Sequence, residues 1–291
     1  MAAILAFGAD GQLGRELAAR ASQVGIPIRM VGRAEADIAD DGAVARTIAA
    51  ARPAMVVNAA AYTNVDRAES ETDAAFRANA VGPGVIASAC AAAGVPLLHV
   101  STDYVFDGSK RTAYVEDDPI GPLGAYGRSK AEGEANVRRL LECHVIMRTS
   151  WIYGIYGANF LKTVLRLARE RDELRIVADQ RGCPTGTADI AEAILAIAPR
   201  LVGREPVWGT YHFAGQGAAT RHQFAAAIVD VQAGIANRRP AVVPISTAEY
   251  PTAARRPANS ELDSSRFAAT FGIKAKGWRE RMPQVAAALL S

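Results

Sequence analysis

Short apolar runs alternate with helix-spaced patterns through the first half of the chain. This alternation restricts the fold more than any other feature of the sequence. Residues 3–7 form a β-rich apolar run, and residues 12–24 then carry apolar side chains at helical spacing. Residues 27–31, 54–60, 96–100 and 144–148 predict four further strands. Residues 44–51, 74–93 and 125–141 predict the helices between them, the second interrupted near Gly82-Pro83-Gly84. Such alternation predicts an α/β fold, a Rossmann-like doubly wound parallel sheet with helices on both faces. Nearly unbroken apolar strands are those of a sheet covered on both sides.

The first strand runs into Gly8-Ala-Asp-Gly11-Gln-Leu-Gly14, a G-x-x-G-x-x-G spacing. One glycine lets the chain turn tightly and the next lets backbone approach a pyrophosphate. The third lets helix pack closely on strand, with the phosphate at the helix N-terminus. With 25 glycines such a string arises by chance in roughly one chain in six, so its position between a strand and a helix carries the weight. The second strand ends in Arg33, where an arginine suits a 2′-phosphate and a carboxylate suits ribose hydroxyls. Arg33 therefore favours NADPH, with Glu35 keeping NADH open and a solvated surface charge as the bland alternative. Asp37-Ile38 follows, placed either to meet an adenine ring or to make an ordinary loop turn.

The third strand ends in Asn58 and a run of small residues, which allow close approach of either a cofactor or a helix. The fourth ends in Ser101-Thr102-Asp103, which sets hydroxyls and a carboxylate where substrate lies in an open parallel sheet. Tyr126 and Lys130 stand one turn apart at the start of the next helix. Eight tyrosines and five lysines make such a pair by accident in roughly one chain in seven. Hydroxyls after one strand and Tyr-x-x-x-Lys on the next helix are a far rarer combination. Ketone reduction needs hydride on carbon and a proton on oxygen. A free tyrosine, with a pKa of about 10, is a sluggish acid, and a nearby ammonium is expected to lower that value. Thr102 is placed to hold the substrate oxygen and steady Tyr126. Tyr104 lacks a lysine partner and reads as a packing residue.

Beyond Trp151 the rhythm loosens. Helices are predicted over 159–171, 189–198, 221–231 and about 278–290, strands over 174–177 and 209–214, and a Pro/Arg-rich stretch fills 251–263. With no repeat and no low-complexity linker, the second half reads as a smaller α/β lobe packed on the first. The expected division is an NAD(P)-binding domain over 1–150, with a return segment about 183–215, and a mainly substrate-binding lobe over 151–291.

The bulk numbers exclude other classes. A net charge of +3 with no long basic run and no aromatic interleaving argues against nucleic acid. No apolar run reaches membrane-span length, and the apolar N-terminus lacks a basic n-region. Three cysteines without close spacing make neither a disulfide framework nor a zinc site. A soluble, cytoplasmic protein is the expectation, as a monomer or homodimer.

Together these residues resemble the extended short-chain dehydrogenase/reductase family. Its marks are G-x-x-G-x-x-G, an Asp-hydrophobic pair, a Ser/Thr after strand four and Tyr-x-x-x-Lys. STDYVFDG at 101–108 and YPTAARRPANSELD at 250–263 narrow the resemblance within the family, because general members lack them. The resemblance implies NADPH-dependent reduction of the 4-keto group of a nucleotide sugar, dTDP-4-dehydro-L-rhamnose, to dTDP-L-rhamnose. It also implies that Gly11, Gln12, Leu13, Asp37, Ile38, Ala61, Tyr62, Thr63, Tyr126 and Lys130 contact the cofactor. Thr102, Asp103 and Trp151 would touch the sugar nucleotide, with interface packing as the alternative for Trp151. Arg255 and Arg256 would suit a diphosphate, with a solvated basic turn as theirs. Another nucleotide-linked 4-keto sugar, or a non-catalytic NADP-binding regulatory subunit of this fold, are the competing implications. Some members dimerise through magnesium held by glutamates. Glu16 matches one such acid, but Ala188 follows Gly186-Thr187 and the C-terminal AAALLS carries no acid, so no metal is assigned.

Overall fold

The computed structural model describes residues 3–290 apart from 204, 206 and 237. Strands β1 (Ile4–Phe7), β2 (Ile28–Val31), β3 (Met55–Asn58), β4 (Leu97–Thr102) and β5 (His144–Thr149) alternate with helices. These are α1 (Gln12–Gln23), α2 (Asp41–Ala51), α3 (Thr72–Phe76), α4 (Gly82–Ala93) and α5 (Ala125–Leu140). The two-residue strand β6 (Ile152–Tyr153), helix α6 (Phe160–Glu170) and strand β7 (Glu173–Val177) come next. Then follow β8 (Arg181–Gly182), β9 (Thr185–Gly186), α7 (Thr187–Val202), β10 (Gly209–His212) and β11 (Ala219–Thr220). Helix α8 (Arg221–Ala236), strand β12 (Ala241–Ile245) and helices α9 (Ser265–Phe271) and α10 (Trp278–Leu290) complete the chain.

Six strands form one parallel sheet in the order β10-β5-β4-β3-β1-β2. The apolar runs are unbroken because both faces are covered. In β1, Ile4 and Ala6 enter the core under α7, whereas Leu5 and Phe7 enter the core under α2 and α4. Each fully buried Leu, Val or Phe side chain there contributes about 1.5–3 kcal/mol. Strand order reverses between β1 and β3, and the crevice beyond that point is where open parallel sheets bind ligands. A separate core joins α6, α8 and α10 through Leu161, Phe224, Ile228 and Trp278. There β7 pairs in parallel with β12.

Local chemistry sets the boundaries. Asp40 caps α2 by accepting from Ala43 N at 2.9 Å, and Asn159 caps α6 by accepting from Lys162 N at 3.0 Å. The interruption expected at Gly82-Pro83-Gly84 lies one turn earlier, as a π turn over Arg77–Val81. Pro83 has no N–H to offer the Asn79 carbonyl, so the regular ladder cannot run through that turn. Strands β6, β8, β9 and β11, of two residues each, and β12 and α9 lay below what the sequence pattern resolved. Among the described residues no helix is long and apolar enough to cross a membrane.

Candidate active site

The glycine loop closes on the sheet by contact. Gly8 has φ +100°, and a Cβ there would meet Ala59 C and Ala60 N, both at 2.7 Å. A Cβ on Gly14 would sit 2.0 Å from the Gly8 carbonyl oxygen. Gly11 occupies the N-cap of α1, which has neither a side-chain cap nor an acid in its first turn. Its leading N–H groups are thus open to an anionic ligand. This cradle fits a dinucleotide pyrophosphate. Leu13 is buried in the core, so of this residue only backbone faces the loop. Gln12 turns its amide to the later chain, where Asn159 Nδ2 donates to Gln12 Oε1 at 3.0 Å.

At the end of β2 the Arg33 side chain is 85% exposed, whereas Glu35 is engaged by Arg29 at 2.5 Å. Arg33 is thus the more exposed of the two, with its guanidinium 3.8 Å from Asp37. Asp37 accepts from Ala39 N at 3.0 Å and from Arg77 at 3.2 Å. These bonds, the Ala39 N–H first, hold its carboxyl below the usual range. Ile38 is buried against Gly82, where a Cβ would meet its Cδ1 at 2.6 Å. The segment after β3 places Ala61 and Thr63 at the surface. Asn79, on the π turn, clamps Tyr62 by accepting from its N–H at 2.8 Å and donating to its carbonyl at 2.9 Å. Asn79 also donates to Ser129 Oγ at 3.0 Å, which ties this segment to α5. No sequence motif pointed to Asn79.

Two glycines let helix α5 press onto the exit of β4 and onto the π turn. A Cβ on Gly127 would lie 2.3 Å from the Tyr104 carbonyl oxygen, and one on Gly133 would lie 2.0 Å from that of Asn79. Glu134 anchors the same helix: it is buried and accepts from Arg148 Nε at 2.9 Å and Nη2 at 2.7 Å. So held, Tyr126 lies in edge contact with Tyr104, ring centroids 5.9 Å apart, and faces the Thr102 hydroxyl. Thr102 Oγ1 in turn donates to Asp103 Oδ1 at 3.1 Å.

Two expectations change here. The first concerns Lys130, whose Nζ donates to the Val100 carbonyl at 2.8 Å and stands 3.5 Å from His99 Nε2. Its hydrogen bond thus goes to the β4 backbone and not to the Tyr126 phenol. Burial pushes the Tyr126 phenol up, Thr102 opposes that, and Asp103 and Tyr104 add to it. Burial also draws Lys130 down to about 8. The second concerns Asp103, which lies behind Thr102 and not in the cleft. It is 2% exposed, accepts from Ser150 Oγ at 2.8 Å and bonds Ser260. A carboxylate so enclosed steadies Thr102 instead of reaching for a sugar.

The opposite wall comes from distant chain. Trp151 adopts φ +45°, a left-handed conformation costly for a bulky residue, and its ring rests against Gly182. The Arg221 guanidinium lies over that ring, 3.6 Å from its centroid, and faces Asp103 and Tyr104. Arg256 also faces Tyr104 and forms a two-pronged pair with Asp66, at 3.1 and 2.8 Å. Arg255 is exposed. Of the arginine pair read as a diphosphate clamp, Arg256 is thus already committed to a carboxylate, because Asp66 faces it across the turn. Tyr104, read as packing, does pack edge-on against Tyr126, and both arginines face it. Arg221 was missed because it opens a helix with no motif around it.

Glu16 does not offer a cation site. It accepts from Arg20 at 2.9 Å and from Thr187 at 3.2 Å. Arg20 also pairs with Glu192, and Arg281 joins Glu192 to Asp189. Among the described residues no three His, Cys, Asp or Glu side chains gather to bind one.

A parallel sheet with a glycine-lined helix N-terminus at its switch point, and Thr, Tyr and Lys beyond the next strands, defines an NAD(P)-dependent oxidoreductase of the short-chain dehydrogenase/reductase kind. The family model described as RmlD substrate binding domain matches residues 1–291. The dTDP-4-dehydrorhamnose reductase of Sinorhizobium fredii is 45% identical over 285 residues, covering 97% of this chain and 96% of the relative. The crystal structure of a dTDP-4-dehydrorhamnose reductase from Clostridium acetobutylicum superposes with a TM-score of 0.93 at 34% identity, over 99% of this chain and 100% of that one. The Bacillus anthracis enzyme in complex with NADP gives 0.90 at 35%, over 98% and 99%. The chain belongs to the dTDP-4-dehydrorhamnose reductase family.

Proposed function

We propose a division of labour among these residues for the family's reaction. The chain reduces the 4-keto group of dTDP-4-dehydro-L-rhamnose to dTDP-L-rhamnose. NADPH, when bound, supplies the hydride. Gly8, Gly11 and Gly14 leave room for its pyrophosphate at the start of α1, with Gln12 and the Leu13 backbone beside it. Arg33 is the cation for its 2′-phosphate, and Asp37 with Ile38 borders its adenine. Ala61, Tyr62 and Thr63 line the path to the nicotinamide, and Lys130 holds the ribose.

Tyr126 is the proton donor and Thr102 orients both it and the substrate oxygen. Burial keeps the phenol in its protonated form in the free protein. The single observation that carries this reading is Tyr126 set beside Thr102, in edge contact with Tyr104, on a helix held close at both Gly127 and Gly133. Trp151 and Arg221 form the sugar-nucleotide wall, with the exposed Arg255 at the diphosphate, Arg256 held by Asp66 beside it and Asp103 supporting Thr102. Residues 1–150 with about 183–215 serve the cofactor, and the remaining second half serves the substrate.

Tyr126→Phe is expected to lower turnover about 10²–10⁴-fold. NADPH binding, read by nucleotide fluorescence, stays within about twofold. Turnover unchanged in this variant would falsify the donor role. Comparing dTDP-, UDP- and GDP-linked 4-keto sugars under the same NADPH assay tests the substrate. Faster reduction of a UDP or GDP sugar favours the second reading, a reductase of another nucleotide-linked 4-keto sugar.

A further inference from the structure

Behind Lys130 lies a run of buried polar groups that the reaction scheme leaves unused. Asn58 ends β3, His99 lies in β4, and both are fully buried. Ala60 N donates to Asn58 Oδ1 at 3.0 Å. A backbone N–H can only donate, so this contact fixes the orientation of the amide. The Asn58 NH₂ then points at His99 Nδ1, 3.1 Å away. NH₂ can only donate, so Nδ1 accepts and carries no proton. Burial first, with Lys130, Arg138 and His144 adding like charge, holds the imidazole well below its usual pKa. A neutral ring without a proton on Nδ1 bears it on Nε2, and Nε2 faces Lys130 Nζ at 3.5 Å. Each donor in the row thus points the same way, from Ala60 through Asn58 and His99 to the lysine. An ammonium has no lone pair to receive the last of them.

We propose that Asn58 and His99 are a positioning pair for Lys130. By presenting an N–H to Nζ, they direct its hydrogens to the Val100 carbonyl and the cofactor cleft and weaken its hold on the third proton. The charges around the pair do not reverse this. Glu134, one turn further along α5, favours the ammonium. However, it is held bidentately by Arg148 and also by Arg138 at 2.7 Å. The low lysine pKa of about 8 agrees with the geometry. The inference rests on Lys130 belonging to the active site as described above, and it adds what sets that residue's protonation.

Ring-nitrogen NMR of the free protein tests it. His144 and His212 bring Nδ1 to the Leu141 and Tyr114 carbonyls, and His222 brings Nε2 to that of Val242. In a His222→Gln chain, three rings remain. The proposal expects two with Nδ1–H and one with Nε2–H, the latter unchanged from pH 6 to 9; three Nδ1–H rings overturn it. Asn58→Asp is the second arm, since a carboxylate accepts from Nδ1–H, reverses the tautomer and turns Nε2 into an acceptor for the lysine. Side-chain NMR of the five lysines should then place the Lys130 titration about one pH unit or more higher. An unmoved titration in a folded variant also overturns the proposal, and the ring count decides if the variant does not fold. Neither measurement involves turnover, so a failure of the Tyr126 assignment would leave both readings intact and be recognised separately.

Discussion

The proposed cofactor end and the proposed substrate wall are built on different principles. The cofactor end is mainly backbone: Gly8, Gly11 and Gly14 act by lacking side chains, within seven consecutive residues. The substrate wall is mainly side chain: Trp151, Arg221 and Arg256 come from three separate segments, Arg221 lies over Trp151, and both arginines face Tyr104 just beyond β4. A backbone cradle tolerates almost no added atom. A side-chain wall can lose one member and keep its shape. The two regions should therefore fail in different ways.

Gly14→Ala is the harshest test, because its Cβ would fall 2.0 Å from the Gly8 carbonyl oxygen. Measurable NADPH binding should be lost; titration showing wild-type affinity would contradict the cradle. Glu134→Ala strikes the helix both regions share and leaves Arg148 buried without its partner. Urea unfolding should show a loss of about 3–5 kcal/mol, and a loss under about 1 kcal/mol would mean α5 is anchored elsewhere. Arg33→Ala should weaken NADPH about tenfold to a hundredfold and leave NADH unchanged. An equal effect on both nucleotides would remove Arg33 from the 2′-phosphate. Arg221→Ala should raise the substrate KM about tenfold without changing the NADPH dissociation constant. If the cofactor were weakened instead, the division between the regions would collapse.

That same contrast explains what could be read in advance. The glycine loop, Thr102 and the Tyr126–Lys130 pair were legible because their spacing follows from the period of a turn or a helix. The parallel sheet was legible because strands buried on both faces cannot be amphipathic. Arg221 and Asn79 were not legible, since each matters through neighbours more than forty residues away, Asp103 for one and Ser129 for the other. Asp103 was misplaced for a related reason: sequence puts a carboxylate beside Thr102 but does not reveal that Ser150 and Ser260 enclose it. The direction of Lys130 depends on a tautomer, and a tautomer is set by contacts between strands.

The place of β10 has a consequence for the birth of the molecule. It pairs with β5, yet α6, β7, β8, β9 and α7 are all made between them. A nascent chain that has completed β1 to β5 therefore carries an open strand edge, ready to pair with any extended segment nearby. The glycine-loop end can assemble on the ribosome while the far edge waits. Until β10 is synthesised and docks, that edge is the point at which aggregation competes with folding.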